Sequence, residues 1–199
     1  MNKDLKLIYN SQKEITILAQ VLSLLEWDQL TYIPRKGVNS RSEEISLLSQ
    51  LIHKKIISDD LFNSLINLKK QKLSNKNNLI VKKLYKDVSR SRKLPERYIK
   101  ELSKTTSLAY QAWNKAFHLR KFKTFQPYLE KIVKLKRQEC KYINEPGHPY
   151  NSLLDQDEEG MTTEKLKPIF LKLKKDLIKL FFIFSSFQFF NFLFFNFSP

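Results

Sequence analysis

An all-α fold of about seven helices is what this sequence predicts, and three observations carry the expectation. The 199 residues include only three glycines beside seven prolines, too few turn formers for the frequent hairpins of a sheet. Apolar residues recur at three, four and seven along most of the chain, as one face of a helix requires. No segment reads convincingly as a strand.

The first helix is expected over residues 3 to 26. Ile8, Ile15 and Leu22 recur every seven, with Leu18 and Leu25 offset by three, and Pro34-Arg35-Lys36-Gly37 follows as the break. Ser40 with Glu43 reads as a capping box opening a second helix, whose apolar face is Ile45, Leu48, Ile52 and Ile56. Ser58-Asp59-Asp60 caps a third along Leu61, Leu65 and Leu68, and Ser74 starts a fourth along Ile80, Leu84 and Val88. Pro95 suits the first turn of a fifth, which carries Tyr98, Leu102, Ala109, Trp113 and Ala116. Thr124 and Pro127 introduce a sixth along Leu129, Ile132, Val133 and Leu135. A loop is expected from Ile143 to Gly160, after which Thr162 or Thr163 caps a helix bearing Leu166, Ile169, Phe170, Leu173 and Leu177. There is no internal repeat.

The net charge of +16 invites a nucleic-acid reading. However, the lysines are dispersed, as at Lys54-Lys55, Lys69-Lys70, Lys82-Lys83 and Lys174-Lys175, on the polar faces of amphipathic segments. No nucleic-acid motif accompanies them, so no specific nucleic-acid partner is expected. Cys140 is the single cysteine, which fits a reducing compartment and a packing or surface thiol. The opening MNKDLKLIYNSQKEI carries charges where a signal peptide needs an apolar core. A cytoplasmic location is the expectation.

The residues on their own assemble no active site. His53, His118 and His148 are scattered, and none has a His or Glu four residues away; H-E-x-x-H is absent from the sequence. His148-Pro149 reads as part of a turn. The acidic run Asp155, Asp157, Glu158 and Glu159 fits a solvated loop or the dipole of the next helix better than an acid–base pair. Serine elbows, phosphate-binding glycine loops and C-x-x-C pairs do not occur. Trp27-Asp28-Gln29, closing an apolar helix, is less ordinary. A core Trp with Asp28 satisfying backbone donors at the helix end is the plain reading.

Those three residues also begin a recognisable string. LSLLEWDQLTYIPRKGVNSRSEEISLLSQLIHKKI, from Leu22 to Ile56, resembles the N-terminal signature of the carboxypeptidase Taq family of zinc metallocarboxypeptidases. Its W-D-Q-x-T-x-x-P-x-x-G string, following Arg and His correspond to Trp27, Asp28, Gln29, Thr31, Pro34, Gly37, Arg41 and His53. A second similar block starts at AWNKAF, from Ala112, and continues through FQPYLEKIVKLKRQ, from Phe125. A third is GHPYNSLLDQDEEGMTTEKLKPIF, from Gly147 to Phe170. The blocks are collinear with the family over roughly residues 5 to 180. Gln156 to Gly160 departs from it, because the family carries an aromatic and Glu-Pro-Gly there.

The resemblance implies a mostly helical protein with a deep groove, in which zinc polarises the scissile carbonyl and activates water and a glutamate acts as general base. It further implies peptide substrates trimmed singly from the C-terminus, and homodimers. Family members are much longer than this chain, and their H-E-x-x-H helix, later glutamate ligand and substrate-carboxylate residues lie beyond the similar region. His148-Pro149-Tyr150 is not the family's His-Pro-Phe motif, which precedes the zinc helix. No residue here is therefore assigned as catalytic, cofactor-binding or metal-binding, and no cofactor is expected in this chain. Zinc or another divalent metal belongs to full-length relatives. The expectation is an N-terminal helical region, residues 1–180, inactive by itself.

The segment 181–199 is set apart as a Phe-rich tail, with ten of the fifteen phenylalanines between Phe181 and Phe197. Leu180 to Phe197 approaches the length of a membrane anchor, yet Ser185, Ser186, Gln188, Asn191 and Asn196 interrupt it. A buried helix fits less well, since no polar face remains. T-rich codons read out of frame yield this composition, so the tail is expected not to be native to the fold. The competing expectation is a non-catalytic helical interaction protein tethered to a membrane by that tail.

Overall fold

The computed structural model describes residues 2–196; the side chains of residues 35 and 185–196 lie outside that description. The tail expected at 181–199 is thus described only in part. The described backbone is all-α, with eight α-helices and two single turns of 3-10 helix, and divides into two units, Met1–Ile143 and Asn144–Pro199.

In the first unit, α1 (Lys3–Thr31) packs against α2 (Val38–Ile56) and α3 (Asp59–Lys69). The fourth helix, α4 (Asn75–Ser91), lies on α3, while α5 (Glu96–Leu119) runs along α2 and receives α6 (Gln126–Ile143). The core between α1, α3 and α4 is Ile8, Leu61, Leu65, Leu68, Val81 and Val88, each at most 2% exposed. A buried aliphatic of this kind contributes about 1.5–3 kcal/mol through removal from water. A second buried set, Ile45, Tyr98, Ala109, Ala116, Leu135 and Ile143, lies on α2, α5 and α6.

In this unit two of the expected caps form as read. The Ser58 hydroxyl accepts from the Leu61 amide, and that of Ser74 from the Asn77 amide, each at 3.4 Å. The Ser40–Glu43 capping box does not form. A 3-10 turn, Arg35–Gly37, leads straight into α2 at Val38. Ser40 is therefore already helical, and its hydroxyl donates to Glu44 at 3.3 Å. Pro95 is the residue before α5 rather than its first member. α5 stops where Arg120 turns left-handed, at φ 51°.

In the second unit, the expected loop holds a short helix, α7 (Asn151–Asp157). α8 (Thr163–Asn196) follows, with Thr162 accepting from the Lys165 amide at 3.4 Å. Asn151 Oδ1 accepts from the Thr163 amide at 2.9 Å and joins the two helices. Among the described residues, no helix is long and apolar enough to cross a membrane.

Candidate functional site

Asp28, Gln29 and Arg41 of the signature lie where the end of α1, the start of α2 and the middle of α5 converge, while His53 lies apart, in the last turn of α2. The α1 helix runs through Trp27 to Thr31 before Pro34 ends it, so Asp28 and Gln29 sit on its last turns. Asp28 does not satisfy backbone donors with its side chain, as its sequence position suggested. Arg41 reaches back from α2, its Nη1 donating to Asp28 Oδ2 at 2.6 Å and to the Leu25 carbonyl at 2.9 Å, while Nε donates to Glu44 at 2.8 Å. One guanidinium therefore joins α1 to α2 through a charged pair and a backbone carbonyl.

Gln29 is 5% exposed. Its Nε2 donates to the Ser107 carbonyl at 2.9 Å, and its Oε1 accepts from the Ser107 hydroxyl at 2.9 Å. Gln111 adds a donor to the Gln29 carbonyl at 3.4 Å. This reciprocal pairing satisfies a buried amide and fixes α1 on α5. Gln29 and Ser107, with Glu26, Tyr110 and Lys136, line a groove of about 480 Å³. A second hollow, about 720 Å³, lies at the α5–α6 turn beside Trp113, Phe117, His118 and Phe122.

His53 is buried on α2, with its Nε2 3.0 Å from the Leu94 carbonyl, which joins α2 to the turn before α5. Burial pushes its pKa below the ordinary value against the opposing pull of the Leu94 carbonyl and Glu96. Trp27 is half exposed and meets Tyr32 edge-on, with ring centroids 5.4 Å apart. Thr31 donates to the Trp27 carbonyl at 2.8 Å. At Gly37 an added Cβ would approach the Ile33 side chain to 3.2 Å, so the turn is packed closely there.

The histidines do not converge. His53 is committed to Leu94, His118 is exposed beside Phe117, and His148 Nδ1 accepts from the Tyr150 amide at 3.1 Å within its turn. Asp155 accepts from the Gly160 amide at 2.9 Å and shapes the turn before α8. Among the described residues no group of three or more His, Cys, Asp or Glu could hold a metal ion. The donor set present therefore does not fit a zinc centre.

One cluster escaped the sequence reading. Glu139, 3% exposed on α6, accepts from the Tyr98 hydroxyl at 2.8 Å and from Lys136 Nζ at 2.8 Å, with Arg90 Nη2 at 3.9 Å. The Tyr98 phenol is pushed well above its usual range by burial and then by the Glu139 carboxylate. Cys140 beside it is pushed up by burial and by Glu139, which disfavours its thiolate. Only Lys136–Glu139, at i and i+3, could have been noticed from sequence.

The comparisons with known proteins decide what this helical frame is. The sequence profile of the carboxypeptidase Taq (M32) metallopeptidases matches residues 8–188. The chain belongs to the carboxypeptidase Taq family. Thermostable carboxypeptidase 1 of Pyrococcus furiosus is 32% identical over 177 residues, covering 88% of this chain and 36% of that protein. Carboxypeptidase 1 of Bacillus subtilis is 31% identical over 178 residues, covering 88% and 35%. The crystal structure of BsuCP superposes with a TM-score of 0.84 at 30% identity, covering 87% of this chain and 35% of that one. The chain thus spans about a third of the length of the relatives it matches. Within that third, the family signature holds helices together: Asp28, Gln29, Arg41 and His53 are each engaged with a neighbouring element.

Proposed function

We propose that this chain is the N-terminal, non-ligating portion of a zinc metallocarboxypeptidase that removes residues singly from peptide C-termini. By itself it binds no zinc and releases no amino acid. The observation that carries this reading is the use of the signature's polar side chains. Asp28 and Arg41 join α1 to α2, Gln29 joins α1 to α5, and His53 joins α2 to the turn before α5. Side chains spent on such ties are not free to ligate a metal or activate water. The groove lined by Gln29 and Ser107 together with Leu30, Ile45 and Leu102 supplies a mostly apolar wall with a few polar groups, the contribution of one side to a peptide channel. The lone Cys140 suits a cytoplasmic setting.

The test is direct. The purified chain is dialysed against zinc and assayed with N-blocked peptides for released C-terminal amino acids. The expected result is neither stoichiometric zinc nor release above a zinc-only control. Zinc-dependent release that survives further purification would overturn the reading.

A further inference from the structure

The groove and the hollow at the α5–α6 turn lie along one face of α5. Leu102, Thr106 and Tyr110 line the first, Trp113 and Phe117 the second, in steps of three and four that keep all five in line on the helix. The rings join the two. Tyr110 and Trp113 have centroids 5.7 Å apart, and Trp113 stacks on Phe117 at 5.9 Å. From Leu102 to Phe117 the track covers about 22 Å at a rise of about 1.5 Å per residue, which about seven residues of extended chain would span. Its far end is both aromatic and basic. Trp113, Phe117 and Phe122 are 45–67% exposed, and the exposed Lys115, Arg120, Lys121 and Lys123 alternate with them in sequence. No Asp or Glu stands between Glu101 and Glu130. Among the described residues, none of those four cations has a carboxylate partner. Exposed lysines on α2 do find one, as Lys54 finds Glu96 and Lys55 finds Glu14.

We propose that this track takes the residues of an acidic peptide substrate that lie upstream of the cleaved bond. An aromatic side chain of the peptide enters the hollow beside Trp113 and Phe117, and neighbouring Asp or Glu side chains meet Arg120, Lys121 and Lys123. The proposal rests on the functional reading above and adds the class of peptide that the wall selects. Charge complementarity carries it. A guanidinium without a partner can take a carboxylate through two parallel hydrogen bonds, and cations at the rim of a groove favour acidic ligands over neutral ones. The inner end carries Glu26 as well as Lys136, itself bonded to Glu139, so the unbalanced positive charge stands at the aromatic end. The hollow, about 720 Å³, is concave and lined by rings on which another ring can stack. Cations confined to one end of a mostly apolar track suit a peptide with a few acidic residues. A nucleic acid strand needs them along its whole length, and a membrane surface calls for rings that protrude.

The experiment measures fluorescence anisotropy of an octapeptide, labelled with a neutral dye, on the full 199-residue chain without zinc. The peptide holds one Phe between Asp and Glu residues, ahead of an Ala-Ala end. Matched probes carry Asn and Gln in place of the acids, or Ala in place of the Phe. The acidic probe should bind about tenfold more tightly than its amide counterpart at low salt, with the advantage shrinking as salt is added. Arg120→Gln with Lys121→Gln should remove that advantage, and Trp113→Ala should remove the preference for Phe over Ala. Lys13→Gln with Lys76→Gln lowers the net charge equally at exposed positions elsewhere and should change neither. Circular dichroism checks that each variant keeps its helices. Equal affinity for the acidic and amide probes would overturn the proposal, as would a loss that the Lys13 and Lys76 pair reproduces. So would tighter binding of oligothymidylate or of phosphatidylserine vesicles that displaces the peptide and is abolished by the Arg120 and Lys121 substitutions. The binding can fail while the functional reading stands, and zinc-dependent release by the chain would strike that reading without altering these affinities.

Discussion

Gln29→Ala tests whether the signature acts as a tie between helices. The wild-type amide makes two reciprocal bonds with Ser107, both 2.9 Å, in a position only 5% exposed. Each such bond is worth about 0.5–1.5 kcal/mol net, and a buried group left unpaired costs about 1–3 kcal/mol. Truncation strands the Ser107 hydroxyl, itself 7% exposed, so the expected loss is about 2–3 kcal/mol. Ser107→Ala keeps the bond from Gln29 Nε2 to the backbone carbonyl but strands Gln29 Oε1, and should cost about 1–2 kcal/mol. Because the two side chains share one interaction, the double variant should cost about 1 kcal/mol less than the sum of the singles. Urea unfolding followed by circular dichroism in dilute solution measures all three, with the exposed Lys13→Ala as a reference expected within about 0.5 kcal/mol. A Gln29→Ala loss below about 0.5 kcal/mol, or losses that simply add, would refute the assignment.

Two further outcomes follow from buried titratable groups. Burial depresses the His53 pKa, so the unfolded chain, titrating near 6.5, binds the proton more readily than the folded one. His53 is thus neutral in the stable state, and its contribution is full above about pH 6.5 and lost as pH falls through the lower folded value. Urea midpoints should decline on acidification across that window, and His53→Gln should flatten the decline; identical slopes would sink the account. Separately, Glu139→Gln removes the negative charge that, after burial, holds the Cys140 pKa up. Iodoacetamide alkylation of Cys140 at a fixed mildly alkaline pH should then be faster than in the wild type, with unchanged or slower labelling counting against it.

The helical stripes were legible because each is local. Ile8 and Ile15 in α1, and Leu61, Leu65 and Leu68 in α3, all reach the core that their spacing predicts or its packed margin. The caps at Ser58 and Ser74 were legible for the same reason. What stayed hidden depends on distance along the chain. Gln29 finds Ser107 across 78 positions, and Tyr98 finds Glu139 across 41, with no local pattern to announce either. The short α7 was read as loop because seven residues give no periodicity to detect. Ser40 misled because its capping pattern is real, while the turn ending at Gly37 had already begun the helix. The Asp28–Arg41 pair spans 13 positions, and only the family resemblance singled out both residues beforehand.

The distribution of burial separates stability from solubility in this chain. Every buried hydrophobic residue lies between Ile8 and Ile143, among the described residues. From Lys167 to Phe184, α8 has no buried or half-buried side chain, although Ile169, Phe170, Leu171, Leu173, Leu177 and Ile178 are all large and apolar. Because these side chains are exposed, a substitution that makes the stripe polar should shift unfolding of the first unit by no more than about 0.5 kcal/mol. The same substitution breaks an exposed apolar patch, the kind that drives association in water. Phe170→Asp with Leu173→Asp should therefore raise the concentration at which the chain stays monodisperse while leaving the urea midpoint of the first unit in place. If solubility were unchanged and the midpoint fell by several times that margin, the stripe would be supporting the chain's own fold rather than an exposed patch.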